Sequence, residues 1–486
     1  MIDLPEFPPQ AALIGNAWVD TDATLPVEAP ARGEGVTHIA RCTPEHVDDA
    51  VIMARRAFAG ELGEWAQWSA RQRSAWLFGF ADAIEANHEH LSALECLDTG
   101  KPLTQARADI KACAHYFRFY GGGADKLHGE TLPYEEGYTV MTLREPYGVC
   151  AQIIPWNYPA QIFGRCVAAA LAAGNTIVLK PAEDACLSVL SLAKLAISSG
   201  LPTGVLNVVP GLGHEAGAAL AAHPGIDHLS FTGSPVTGTR VTQAAAEHHV
   251  PVTLELGGKS PQIVFADADL DTAFEAVVRG IIQNAGQTCS AGSRLLIQRD
   301  ISQAFTDRLI ERFSALQCAS GEEDADCGPL INARQKSQLD KRLATAEADG
   351  IRVAAKGKLA KNASPAGHFV VPHLLTDIPD DHEVLREELF GPVLAVQIFD
   401  DEAQALRLAN ATDFGLCAGV WTRDGGRQLR LARGIRSGQV FINNYGAGGG
   451  IELPFGGVGR SGFGREKGFE GLRSYTRIKT VAIRHG

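Results

Sequence analysis

The 486-residue chain has no CxxC pair among its ten cysteines, no apolar run long enough to span a bilayer and no excess of basic residues. Each absence removes a class of protein. Cysteines scattered over positions 42 to 417 in a long chain read as reduced thiols, mostly buried as small apolar side chains, so neither a disulfide framework nor a zinc site is expected. The start MIDLPEFPPQ lacks a basic segment followed by an apolar one, and the most apolar stretches are broken by Gly, Asn, Lys and Pro. Neither a secretion leader nor a membrane span is expected, and the expected location is cytoplasmic. With 44 Lys plus Arg against 56 Asp plus Glu, the net charge of −12 argues against nucleic acid or anionic membrane as a partner. Any anionic ligand must be held by local geometry. No internal repeat and no low-complexity segment is present.

What is present is a 45% apolar composition over a length that suits two or three domains. From about residue 149, short apolar runs (149–154, 176–180, 205–209, 227–231, 251–256) alternate with helical segments (159–173, 184–199, 235–248). That alternation is the signature of βαβ units and a parallel sheet. Runs at 262–266, 293–298, 391–399, 415–422 and 439–444, with a helix over 270–284, imply a second α/β lobe. Residues 121–148 and the final SYTRIKTVAIRHG are strand-like without helical period, and exposed strands of this kind suggest edge pairing with another subunit. GAGGG at 446–450 is a loop.

Three segments could carry chemistry. Cys289 lies in NAGQTCSAGSR, among small and hydroxyl residues, the accessible polar setting a reactive thiol needs; a filler cysteine in a tight loop is the plainer reading. In VPVTLELGGKSP, Glu255 stands at the carboxyl end of a strand closed by Gly257 and Gly258, where α/β proteins keep reactive groups; a solvated edge glutamate is the alternative. In IIPWNYP, Asn157 is delivered at the same end of the sheet before Pro159 opens a helix, and its amide can donate to an oxyanion or merely form a turn.

Cofactor signals accompany them. Ser234 is a plausible N-cap with Pro235 in the first turn, and a helix N-terminus after a parallel strand is a ready phosphate site. The glycines after this strand do not form GxGxxG, and GLGHEAG at 211–217 fails that pattern by one residue. Lys180 and Glu183 follow another strand, where an acidic residue can hold ribose hydroxyls and repel a 2′-phosphate, which favours NAD over NADP.

Together, PWNYP (155–159), KPAE (180–183), FTGS (231–234), LELGGKSP (254–261), GQTC (286–289), EELFGPV (387–393) and PFGGVGRSGFGRE (454–466) closely resemble the NAD(P)-dependent aldehyde dehydrogenase superfamily, in the family's order, in its non-acylating type. The resemblance implies two doubly wound parallel-sheet lobes, one Rossmann-like and NAD-binding and one catalytic, plus a small β oligomerisation element. It places the NAD-binding domain at 1–123 and 147–256, the catalytic domain at 257–445, oligomerisation strands at 124–146 and 467–486, and a loop returning to the active site at 446–466. It further implies a homodimer or homotetramer acting on a small aldehyde.

By the same resemblance Cys289 is the nucleophile, Glu255 the general base and Asn157 the oxyanion donor, with Glu466 relaying protons from the base. Cofactor contacts fall on Ile154, Trp156, Lys180, Glu183, Gly233, Ser234, Leu256, Glu388 and Phe390, and substrate contacts on Tyr158, Gln161, Arg165, Gln283, Tyr445 and Phe455. Arg165 shares a helix face with Gln161 and Asn157. Succinate-semialdehyde dehydrogenases carry an arginine at this offset against the substrate carboxylate; an internal ion pair is the alternative. Gln283 and the glycines of 446–450 depart from that pattern. The substrate is therefore an uncharged aliphatic or aromatic aldehyde or a carboxylate-bearing semialdehyde. Glu255 argues against a coenzyme A-acylating relative, and the joint presence of Cys289, Glu255 and Asn157 argues against a non-catalytic binding protein.

Overall fold

A computed structural model describes residues 5–446 and 450–485. The first lobe is built on β1 (Val149–Ile153), β2 (Thr176–Lys180), β3 (Leu206–Val208), β4 (His228–Thr232) and β5 (Val252–Glu255), with α1 (Pro159–Ala173), α2 (Leu187–Ser198) and α3 (Pro235–Ala246) between them. These strands lie parallel in the order β3-β2-β1-β4-β5. The chain therefore steps outward from β1 in one direction, then returns to the other side. That reversal is the switch point at which open α/β sheets bind ligands. Antiparallel edges complete the sheet: Ala12–Ile14 pairs with β3, and Gly462–Phe463 pairs with β5.

β1 and β2 are buried on both faces because helices cover both, and α1 is buried along nearly its whole length. α1 starts with Pro159 in its first turn and ends at Gly174 in the left-handed conformation, so both ends of the helix that follows Asn157 are fixed by local chemistry.

The second lobe contains β6 (Pro261–Val264), α4 (Leu270–Ile282), β7 (Arg294–Gln298), β8 (Val393–Phe399), β9 (Cys417–Trp421) and β10 (Gln439–Ile442). Its sheet runs Arg352–Lys356, His373–Thr376, β8, β7, β6, β9, β10, parallel apart from the first strand. The expected pair of parallel-sheet lobes is what is found.

The strand-like segments outside the main sheets, Tyr138–Pro146 and Thr476–Arg484, pair with each other, antiparallel, Thr139 opposite Ile483. Thr476–Arg484 keeps one edge without a partner among the described residues. The cysteines were all expected as free thiols, yet Cys318 and Cys327 are joined in a disulfide. A bridge between their backbones brings the Cα atoms to 4.8 Å, a proximity that scattered positions in a sequence do not reveal. Positions 447–449 of the glycine-rich loop lie outside the described residues.

Candidate active site

Cys289 follows a backbone that no helix could supply. After α4 the chain turns through Asn284 and Ala285, at φ 49° and 52°, and Gly286 at 72°. A Cβ on Gly286 would fall 2.1 Å from the Gly391 carbonyl, so glycine is required there. The thiol emerges half-buried. The backbone of Gly258, just beyond β5, approaches so closely that a Cβ on it would sit 2.2 Å from the Cys289 carbonyl oxygen. The Glu255 segment and the cysteine loop are thereby in contact.

Asn157 is tied to that loop. Its Nδ2 donates to the Gln287 carbonyl at 3.0 Å, and the neighbouring Tyr158 hydroxyl bonds Thr288 Oγ1 at 2.8 Å. The Asn157 carbonyl in turn accepts from Lys101 Nζ and from Asn284 Nδ2, both at 3.0 Å. Lys101 spends its other protons on Glu95 (3.2 Å) and Asp109 (2.6 Å) in a fully buried cluster.

Glu255 ends β5 with 1% of its surface exposed, and neither carboxylate oxygen has a hydrogen-bond partner among the described residues. The solvated-edge alternative is thus excluded by the structure. Burial first, and then the charge of Glu466, push this carboxyl well above the ordinary range, against the pull of Arg165. Burial likewise pushes the Cys289 thiol up to about 12, with Arg165 pulling the other way. In both groups burial thus opposes the charged form.

Arg165, read as facing either a substrate carboxylate or an internal partner, forms a buried ion pair with Glu466, and its Nη2 reaches Thr232 Oγ1 at 3.3 Å. Glu466 also accepts from Ser230 Oγ at 2.7 Å and from Cys166 Sγ at 3.4 Å. Gln161 turns to Asp109 (3.2 Å), Tyr445 donates its hydroxyl to the Ser290 carbonyl (2.7 Å), and Gln283 is exposed at the end of α4. Phe455 packs with Leu416, Cys417 and Phe441 in an apolar wall on which Cys289 and Tyr445 rest.

The cofactor candidates line the carboxyl ends of the first sheet. Ser234 caps α3, its Oγ accepting from Thr237 N at 3.3 Å, and Gly233 N donates to the Glu255 carbonyl at 3.0 Å. Lys180 closes β2 and donates to Glu183 at 2.6 Å, while Ile154 N donates to the Lys180 carbonyl at 3.1 Å. Leu256 N bonds the Ser461 carbonyl, and Glu388 accepts from Gly258 N at 2.9 Å. Phe390, at φ 53°, meets Trp156 edge-on at 5.4 Å. A helix N-terminus, a lysine–glutamate pair at a strand end and a carboxylate beside Gly258 form a set that suits a dinucleotide's pyrophosphate and hydroxyls.

Lys101, Asn284 and Lys467 were not singled out by sequence. The first two act through bonds to the Asn157 carbonyl, for which residue type gives no sign. Lys467, adjoining Glu466, was legible as a charge directly after a motif carboxylate.

The fold and this constellation define an α/β oxidoreductase-like architecture with a thiol, an acid and an amide at the ligand end of a parallel sheet. The family model described as the aldehyde dehydrogenase family matches residues 18–481. An aldehyde dehydrogenase of Emericella nidulans is 40% identical over 482 residues, covering 98% of this chain and 96% of that protein. A Burkholderia cenocepacia chain, whose crystal structure is assigned to the aldehyde dehydrogenases, superposes with TM-score 0.97 at 58% identity, covering 98% of this chain and all of that one. The NAD+ complex of a Bacillus cereus aldehyde dehydrogenase gives 0.95 at 39% identity, over 99% and 97%. The protein belongs to the aldehyde dehydrogenase family and is an enzyme of that class.

Proposed function

We propose that the enzyme oxidises an aldehyde to the carboxylic acid, using NAD, through a thiohemiacetal and then a thioester on Cys289. The observation that carries this reading is Glu255, a buried carboxyl without a hydrogen-bond partner beside the cysteine loop, because an unsatisfied buried acid is retained for chemistry rather than for stability. Cys289, as thiolate, attacks the carbonyl carbon. Asn157 Nδ2, held by the Gln287 carbonyl and fixed from behind by Lys101 and Asn284, has a second N–H to donate to the oxyanion. When bound, NAD supplies the hydride acceptor and a positive ring that favours the thiolate. Glu255 then takes a proton from water, and the hydroxide so formed displaces the Cys289 sulfur from the thioester.

Lys180 and Glu183 would meet the adenosine ribose, Ser234 the pyrophosphate, Glu388 the nicotinamide ribose and Phe390 the ring. The Glu183 carboxylate favours a free 2′-hydroxyl, hence NAD over NADP. The presence of Glu255 supports hydrolysis of the thioester rather than its transfer to coenzyme A. The exposed Ile478 and Ile483 on the edge strand support a homo-oligomer. The test is NADH production across an aldehyde panel for the wild type and Cys289→Ala. The wild type should turn over, whereas the variant should bind NAD and produce no NADH. Turnover by the variant would sink the assignment.

A further inference from the structure

A single segment, 327–331, touches both supports of Asn157. It begins at Cys327, which is fixed to Cys318 by the disulfide and by a backbone bridge between the same two residues. Farther along, the Pro329 carbonyl accepts from Gln287 Nε2 at 3.3 Å, and the Ile331 N–H donates to Gln287 Oε1 at 2.9 Å. The Gln287 amide is thus gripped through both its donor and its acceptor. Its backbone carbonyl is in turn the acceptor for Asn157 Nδ2.

The same segment presses on the chain around Lys101, whose ammonium holds the Asn157 carbonyl. A Cβ on Gly328 would lie 2.1 Å from the Gly100 carbonyl oxygen, and one on Gly100, at φ 75°, would lie 2.5 Å from Pro329 Cγ. Inside the loop that the disulfide closes, a Cβ on Gly321 would lie 2.2 Å from the Lys101 carbonyl oxygen. Contacts this close transmit displacement, so a shift of the loop moves Lys101 and Gln287 together. Cys318 and Cys327 also share an apolar cluster with Ala285, in the positive-φ turn that leads to Cys289. On its solvent side the loop is fastened by Arg32 to Glu322 (2.7 Å), by Thr104 N to Asp324 (2.8 Å) and by Arg312 to Asp326 (2.8 Å). Partly exposed contacts of this kind contribute little, so the loop can lift and admit a small thiol to the buried sulfurs.

We propose that the Cys318–Cys327 disulfide is a redox-sensitive clamp on the oxyanion donor. Joined, it holds Asn157 in register with Cys289; reduced by a dithiol, it releases that support and slows the chemical step. One thiolate of the dithiol attacks a sulfur of the pair, forming a mixed disulfide and freeing the other cysteine, and its second thiolate then displaces the remaining cysteine. The S–S bond passes to the dithiol, and the pair takes up two electrons and two protons as two thiols. Two thiols need more room than a bonded pair, so the bridge opens and Gln287 and Lys101 lose their fixed backing. This rests on the reading of Asn157 as the oxyanion donor.

The experiment measures kcat, with an aldehyde that the wild type oxidises, for the air-oxidised enzyme, for the enzyme reduced with dithiothreitol and for the double variant Cys318→Ala, Cys327→Ala. Alkylation followed by mass measurement counts the thiols, eight when the pair is joined and ten when it is reduced. Reduction should lower kcat about tenfold, the order expected for a displaced catalytic group, with the KM for NAD changed by less than about twofold. Oxidised dithiothreitol should restore the rate. The double variant should turn over at the reduced rate and ignore both reagents, which excludes an effect through Cys289; if it does not fold, the reversible cycle of the wild type decides alone. In Asn157→Ala, reduction should leave the already lowered kcat unchanged. Ten thiols in the air-oxidised enzyme, a reduced wild type as fast as the oxidised one, or a loss of rate that reoxidation does not reverse overturns the proposal. Full activity in Asn157→Ala would instead remove the donor reading, whereas a slow Asn157→Ala beside a wild type indifferent to reduction sinks the clamp alone.

Discussion

Glu95 and Glu255 are both fully buried, yet one has every oxygen engaged and the other has none among the described residues. Glu95 accepts from Lys101 Nζ on one oxygen and from Ser188 Oγ at 2.5 Å on the other. Asp109 completes that cluster with bonds to Lys101 and Gln161. The result is a rigid support that ends on the Asn157 carbonyl. Glu255, some hundred and sixty residues later in the chain, is left with Coulombic neighbours alone. The contrast separates two uses of a buried charge. A satisfied cluster positions a backbone, whereas a carboxyl group whose oxygens are not engaged by the protein remains available to accept a proton from a water that attacks a thioester.

Replacement tests sharpen this division. Glu255→Gln should lower steady-state turnover by about 10²- to 10⁴-fold, the usual contribution of a positioned acid–base group, while leaving thermal stability equal or higher. A fall in melting temperature with modest loss of rate would place Glu255 among the structural charges. Lys101→Met should behave oppositely, costing about 3–5 kcal/mol of stability because it strands two buried carboxylates, with a melting shift read by calorimetry. An unchanged melting temperature would show that the cluster is not the support described. Asn157→Ala should lower kcat by about 10²-fold or more, since it removes one oxyanion donor; an unaltered kcat would remove it from that role.

The smallest effect is on pH dependence. Burial raises the folded-state pKa of Glu255, so above about pH 4.3 the unfolded chain releases a proton that the folded chain keeps. Its contribution to stability therefore decreases as pH rises toward the folded value. Glu255→Gln lacks that dependence, and its stability relative to the wild type should grow between pH 5 and pH 8 in parallel denaturation curves. Parallel curves without divergence would contradict the assigned direction.

The parallel strands were legible because each is a short run buried on both faces between amphipathic helices. Pro159 and Gly174 even mark the ends of α1 as the sequence suggests. Ser234 was legible as a cap for the same reason, its chemistry being local. The pairing of Tyr138–Pro146 with Thr476–Arg484 was not legible, because partners more than three hundred residues apart leave no periodicity to read. The Cys318–Cys327 bridge and the Lys101 cluster escaped for a related reason, since both depend on which backbones the fold brings together. The inward pairing of Arg165 was one of two sequence alternatives, decided by Glu466, a residue three hundred positions away. The Lys467 backbone, at φ 59° and ψ 168°, is invisible in a sequence, where lysine gives no sign of a positive φ.

The account's central claim is that Cys289 forms the acyl intermediate and Glu255 releases it. Stopped-flow NADH formation by Glu255→Gln, mixed with a good aldehyde substrate at saturating NAD, tests this most directly. The expected trace is a burst approaching one NADH per active site, followed by a steady state at least a hundredfold slower than the wild type. A linear trace at the wild-type rate, or a slow trace without a burst, would contradict the division of labour between the two residues.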